Sequence, residues 1–333
     1  MKAIQISNYS KSIETTLCDR PIPEIGSSEV LLKVKAAAVN PLDVLILTGS
    51  VRLIQDYSMP LILGNECSGI VEKVGRSVTE FKAGDAVYAR LPMEKIGALA
   101  EYVAVDCTAI AFMPKNYDFV TAAAIPLTGL TACQGMTEEL ETKPGTTVFI
   151  SGGSGSFGQM AVPIARALGL HVIVSGNERA RESIMNAGAD QYLDYRKENY
   201  WESLSNIDNV IDTLGSAEFA HELSILKQGG RLLSLKTGPN REFAVRHQFP
   251  FWKRQLFSIV GAKYDKMAAQ EGKSYRFMFV RSSGKQLQKI TKIVEEHHIV
   301  PKIDSRQFTL KQANEALKLV AHGHTDGKVI FQF

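Results

Sequence analysis

Phe149-Ile150-Ser151-Gly152-Gly153-Ser154-Gly155-Ser156-Phe157-Gly158 is the stretch that decides the fold of this 333-residue chain. The apolar run 147–150 reads as a strand. It ends in a glycine-rich turn that opens into a helical pattern, with Met160, Val162, Ile164, Ala165 and Leu168 as apolar positions. In a strand–turn–helix context each glycine has a physical job. Gly152 allows the tight turn, Gly155 lets backbone approach a pyrophosphate, and Gly158 lets the helix pack close to the sheet. The helix start adds unpaired N–H groups and the positive end of its dipole.

The following residues support that reading. After Gly169 comes a second short apolar strand, 171–174, at the spacing of a βαβ mononucleotide unit. A chain selecting NAD places Asp or Glu at the end of this strand, where it accepts hydrogen bonds from the ribose 2′-OH. Here the strand runs into Ser175-Gly176-Asn177, and Glu178 is followed by Arg179 and Arg181. Guanidinium forks beside a serine suit a 2′-phosphate, so NADPH is the expected cofactor.

The remaining composition is that of an ordinary globular protein, 45% hydrophobic and 22% charged, with length enough for two domains. No apolar run approaches the ~18 residues of a membrane span, so no membrane partner is expected. The alternating start, 1–6, lacks the apolar core of a signal peptide, and a cytoplasmic location is the default. The four cysteines are scattered without a C-x-x-C pair and read as small buried apolar residues. His297 and His298 are adjacent, point to different helix faces and make no metal pair. Net charge is +3, but 227–292 carries 15 Lys and Arg against 3 Asp and Glu, leaving −9 for the rest. A solvated basic face and a field steering an anionic cofactor both explain the run. A nucleic-acid surface is not expected at this overall charge and without a recognition motif.

Residues 1–120 read as short strands (30–39, 69–74, 86–89 and 101–105) with glycine and proline punctuation. From 121 helix and strand alternate, with candidate strands at 147–150, 171–174, 191–193, 209–211, 231–235 and 258–260. Helices follow at 286–297 and 310–320, and a last strand at 327–333. The expected division is 1–120 with 285–333 as one domain and 121–284 as the dinucleotide-binding domain.

Further segments carry a family resemblance. They are Ala38-Val39-Asn40-Pro41-Leu42-Asp43, Gly64-Asn65-Glu66-Cys67-Ser68-Gly69, Phe81-Lys82-Ala83-Gly84-Asp85-Ala86-Val87, Ala100-Glu101-Tyr102-Val103, Gly229-Gly230-Arg231 and Gly327-Lys328-Val329. With the glycine turn they span nearly the whole chain. It resembles the medium-chain dehydrogenase/reductase superfamily, in its zinc-free quinone oxidoreductase and enone reductase branch. The resemblance implies an α/β protein in which a Rossmann domain, a doubly wound parallel sheet, is inserted into a GroES-like β-barrel domain. Zinc alcohol dehydrogenases of the superfamily put Cys where Asn40 stands and His where Asn65 stands. Amides are poor zinc ligands, and Asp43 with Glu66 does not make a tetrahedral N/S site, so no metal is expected.

Without a Lewis acid, reduction of a quinone or an activated C=C fits better than alcohol oxidation. The resemblance places Asn40 and Thr131 near the nicotinamide ribose or ring, and Gly152, Ser154, Gly155, Ser156, Phe157 and Gly158 on the pyrophosphate. It puts Ser175, Arg179 and Tyr195 around the 2′-phosphate, with Arg181 solvated. Leu214, Leu235 and Thr237 offer backbone to the nicotinamide half, and Lys328 is a further cofactor candidate. Asn40 and Tyr57 are the candidate catalytic residues, Tyr57 as proton donor. Leu45, Leu47, Val51 and Leu53 read equally as a wall for a small hydrophobic quinone or enone and as ordinary packing. A homodimer through exposed edge strands is the family expectation. An NADPH-binding sensor or RNA-binding protein of the same fold is the alternative, and a zinc alcohol dehydrogenase is disfavoured.

Overall fold

The computed structural model describes residues 1–323 and 325–333. The chain divides into two compact units, Met1–Leu130 with Arg281–Phe333, and Thr131–Val280.

The first unit opens with β1 (Lys2–Ile6), β2 (Thr16–Asp19), β3 (Glu29–Val39), α1 (Pro41–Leu47), β4 (Leu61–Ile62), β5 (Glu66–Val74), β6 (Ala86–Arg90), β7 (Tyr102–Asp106), β8 (Ile110–Phe112) and α2 (Phe119–Ala123). The unit boundary falls inside α3 (Pro126–Gln134). The second unit holds β9 (Thr147–Ser151), α4 (Ser156–Ala167), β10 (His171–Gly176), α5 (Arg181–Asn186), β11 (Gln191–Asp194), α6 (Tyr200–Ser203) and β12 (Ile207–Asp212). It continues with α7 (Phe219–Ser224), β13 (Leu226–Ser234), α8 (Arg241–Arg246), α9 (Phe251–Gln270) and β14 (Ser274–Phe277). The chain then returns to the first unit with α10 (Gly284–Glu296), α11 (Ala313–His322) and β15 (Val329–Gln332).

In the first unit the main sheet runs β15-β3-β5-β6-β8, with β7 also paired to β3, every pair antiparallel. Two registers matter for function. Val329 pairs with Val39, so the strand that follows Lys328 lies beside the end of the strand that precedes Asn40. Ala38 pairs with Glu66, and Glu66 in turn pairs with Arg90. Small side chains at Ala36 and Ala38, both fully buried, let α2 pack over β3 and β5.

In the second unit six parallel strands take the order β11-β10-β9-β12-β13-β14. This is the doubly wound arrangement, with its switch point between β9 and β12. Both faces are covered, so the strands read as near-continuous apolar runs; Val148, Phe149 and Ile150 are all fully buried. One expected strand is wrong. Residues 258–260 lie inside the 20-residue helix α9, and the sixth strand is Ser274–Phe277. Phe257, Gly261 and Ala268 recur at helical spacing and face inward, and that longer period overrides a three-residue β-like run.

Candidate functional site

Parallel pairing puts the carboxyl ends of β9 to β13 along one edge of the sheet. The turns that follow them contain Gly152, Ser154, Gly155, Ser156, Phe157, Gly158, Tyr195, Leu214, Leu235 and Thr237, with Ser175 in the end of β10 and Arg179 beyond it. These expected cofactor residues are therefore neighbours at the switch point. The glycines there divide by what requires them. Gly152 has φ +64, and a Cβ would lie 2.6 Å from Leu214. A Cβ on Gly158 would collide with the Gly153 carbonyl oxygen. Gly155 is different: as N-cap of α4 it has φ −90, and a Cβ would meet nothing within 4 Å. Neither backbone strain nor packing requires a glycine at 155. The room left above the N-terminus of a twelve-residue helix is what a pyrophosphate needs, so the residues present fit a dinucleotide.

The charges beyond β10 are also sorted. Arg181 donates to Glu178 (2.8 Å) and to the Tyr192 carbonyl (2.9 Å), so it is tied to the protein while its side chain stays partly solvated. Lys197 holds the other oxygen of Glu178 at 2.8 Å, and the two cations draw the Glu178 carboxyl down to about 2. Arg179 stays exposed. Ser175 is buried with its Oγ accepting from the Gly152 N–H, and Arg196 lies 5.6 Å from the centroid of the exposed Tyr195 ring.

A carboxyl pair beneath the same edge was not legible in the sequence. Asp212 ends β12 fully buried and accepts from the N–H groups of Leu214 and Gly215 at 2.7 Å, from Thr237 Oγ1 at 3.1 Å and from Ser234 Oγ. It thereby ties the turn after β12 to the turn after β13. Glu222 of α7 is also fully buried and accepts from Ser151 Oγ, the residue just before the glycine turn. Burial and the Asp212 charge push Glu222 up to about 9, so it carries its proton at neutral pH. A glutamate 71 residues from its serine partner, in a helix with ordinary apolar spacing, offers no local signal.

The first unit brings together a different set. Asn40 caps α1, Asp43 sits in its first turn, Asn65 and Glu66 open β5, and Lys328 enters β15; all five are buried. Asn40 Nδ2 donates to Glu66 Oε1 (2.9 Å), and Lys328 Nζ donates to Asn40 Oδ1 (2.6 Å) while lying 2.7 Å from the same Glu66 oxygen. Glu66 Oε2 accepts from the Leu127 N–H at 2.6 Å. Asp43 accepts from the Asn40 N–H at 2.8 Å and from Asn65 Nδ2 at 2.7 Å. Burial, reinforced by the Glu66 charge, pushes Asp43 up to about 6 against these hydrogen bonds. The Asn40 amide is thus held at both ends, with one N–H left to give.

Known families match two parts of the chain. Residues 26–115 match the alcohol dehydrogenase GroES-like domain, and 187–331 match the zinc-binding dehydrogenase family. The chain is 32% identical over 324 residues to the mouse protein "NAD(P)H oxidoreductase RTN4IP1, mitochondrial", covering 91% of this chain and 81% of that one. It belongs to the medium-chain dehydrogenase/reductase superfamily. Over 318 residues it is 29% identical to the Arabidopsis thaliana "NADPH-dependent alkenal/one oxidoreductase, chloroplastic", covering 93% of this chain and 73% of that protein. The solved quinone oxidoreductase from Coxiella burnetii superposes with a TM-score of 0.84 at 28% identity, covering 100% and 99% of the two chains.

In this superfamily member the other expected residues are distributed as follows. Thr131 is buried in α3. Tyr57 is buried after the turns that follow α1, and its hydroxyl has no partner among the described residues. Arg90, fully buried at the end of β6, gives Nη1 to the Leu91 carbonyl, while Nε and Nη2 have no partner among the described residues. Burial pushes the Tyr57 phenol up, and Arg90 is the charge that opposes this most. Nothing in the local sequence marks Arg90 as buried. Of the four apolar residues offered as a wall, Leu47 and Val51 are buried while Leu45 and Leu53 are exposed.

Proposed function

We propose that this chain is an NADPH-dependent oxidoreductase that passes a hydride to a quinone, or to the C=C of an α,β-unsaturated carbonyl, without zinc. The observation that carries the reading is the Lys328 ammonium hydrogen-bonded to Asn40 Oδ1. At the two positions where a zinc alcohol dehydrogenase has thiolate and imidazole, this chain has amides. One of them already faces a buried cation. That donor set is unsuited to a divalent metal on both softness and charge. The names of the relatives agree: one is an alkenal/one oxidoreductase and one a quinone oxidoreductase.

Bound NADPH supplies the hydride. The chain's own work is to hold and to orient. The turn around Gly155 and the first N–H groups of α4 take the pyrophosphate, and Ser175, Arg179 and Tyr195 take the 2′-phosphate. Leu214, Leu235 and Thr237 present backbone held in place by Asp212. Asn40, fixed by Glu66 and Lys328, has one amide N–H left to give to a ligand, and Thr131 is a separate candidate for the nicotinamide half. The proton that the reduced substrate takes up, at the carbon next to the hydride acceptor in an enone or at oxygen in a quinone, would come from Tyr57 or from solvent.

The test is loss of NADPH absorbance against p-benzoquinone, an alkenal, a cyclic enone and a simple ketone, with NADH and added-zinc controls. Turnover of quinone or enone with NADPH, indifferent to zinc and absent with the ketone, is expected. Tight NADPH binding with no turnover would favour a sensing or RNA-binding role, and zinc-dependent turnover would restore the alcohol dehydrogenase reading. A homodimer, checked by light scattering, and a cytoplasmic location complete the proposal. No described helix is long and apolar enough to cross a membrane. Relatives are named both mitochondrial and chloroplastic, so a tagged chain should be imaged directly.

A further inference from the structure

We propose that the N-terminal half of α9 docks on an anionic phospholipid surface. Phe257, Gly261 and Ala268 form its inner face, buried against the second unit. The opposite face is also apolar in its first ten residues, which is unusual for a helix with only one protein partner. Trp252 (58% exposed) and Ile259 (76%) stand one heptad apart on the side directly away from that core, with Leu256 between them. Phe251 (74%) and Val260 (45%) flank them. Four large apolar side chains this exposed on one helix form a patch, not scattered surface residues.

The charge around the patch selects the occupant. Lys253, Arg254, Lys263 and Lys266 lie on the same helix with Asp265 as the one carboxylate. None of the four cations has a carboxylate partner among the described residues. Lys253 instead rests over the Phe249 and Trp252 rings, at 5.2 and 5.5 Å from their centroids, and Asp265 is taken by Asn240. The helix is also the middle of the 227–292 run, where basic residues outnumber acidic ones by twelve. A second copy laid on this face would set like charges against each other. An anionic lipid surface takes both features together: the aromatic and aliphatic side chains enter the headgroup boundary, and Lys253, Lys263 and Lys266 meet the phosphates, while Arg254 is held by the Phe249 carbonyl. A surface contact of this kind needs no spanning segment, so it revises the expectation of no membrane partner, which rested on span length alone.

The intact protein carrying Trp201→Phe has Trp252 as its one indole. With vesicles of phosphatidylcholine plus phosphatidylglycerol, its emission should shift to the blue and the protein should co-sediment. Pure phosphatidylcholine should give at least about tenfold weaker binding, and added salt should release the protein. Trp252→Glu with Ile259→Glu, and separately Lys253→Glu with Lys263→Glu and Lys266→Glu, should each weaken binding about tenfold or more. NADPH affinity and the thermal midpoint, read on the same variants, report that the fold is intact. No binding to anionic vesicles, or binding unchanged by charge reversal, overturns the proposal. So does a particle of twice the mass that the Trp252→Glu and Ile259→Glu pair halves, because this face would then join two copies.

Discussion

The two chemically loaded regions are built on opposite plans. At the edge of the parallel sheet the proposed pyrophosphate contacts come from backbone, with consecutive residues Gly152 to Gly158 following one strand. In the antiparallel unit the contacts come from side chains whose partners lie as far as 288 residues apart, Asn40 and Lys328. A backbone site needs small residues in a row and tolerates change elsewhere. A buried ionic cluster depends on each member being present, because removing one leaves another charge uncompensated.

Lys328→Met tests that contrast most severely. It leaves Glu66 and Asn40 buried without their cation, and denaturant unfolding should show a loss of about 3–5 kcal/mol. Adding Glu66→Gln should recover much of it. A cost under about 1 kcal/mol would mean that the five residues are not one electrostatic unit.

The glycine turn gives the next largest effect, and a paired control. Gly158→Ala should cost about 2–3 kcal/mol, since the added methyl has to displace the Gly153 carbonyl. Gly155→Ala should leave stability within about 0.5 kcal/mol and weaken NADPH binding about tenfold or more. Equal stability losses for both would show that Gly155 serves packing rather than a ligand.

Glu222 extends the comparison to pH. Its carboxyl holds a proton to about 9 in the folded chain, against an ordinary carboxylate value of 4.5 when unfolded. The folded state therefore binds the extra proton between those values, and this group's contribution to stability falls as pH rises through the window. Glu222→Gln keeps the shape and removes the titration. The variant should gain on the parent by roughly 1 kcal/mol per pH unit between about pH 6 and about pH 8, read from thermal or denaturant melts. A constant difference would place the proton elsewhere.

Arg179 and Arg181 give the smallest effect. Arg179→Ala should weaken NADPH about tenfold and leave NADH unchanged, as isothermal titration would read. Arg181→Ala should not separate the two cofactors, because its guanidinium is already committed to Glu178 and the Tyr192 carbonyl.

Legibility follows the same division. The strand, turn and helix around Gly155 could be read because each residue's role depends on neighbours within a few positions. Local reading failed at 258–260, where three β-like residues sit in a helix set by inward-facing positions on either side. Arg90 and Glu222 were not readable as members of a site, since burial alone makes them chemically distinct and no short pattern announces it. Asn40 and Asn65 could be noted as residues out of place for zinc. What holds them could not.

By itself the sequence determined the alternation of strand and helix, the glycine cradle with its basic flank, and the loss of thiolate and imidazole at two positions. These depend on residue type and near spacing. Tertiary structure decided which carboxylates are buried, which cation reaches Asn40, and which glycine is left free for a ligand. The register of β15 against β3 brings Lys328 to Asn40, and that register is set by packing across the whole sheet rather than by any stretch of chain.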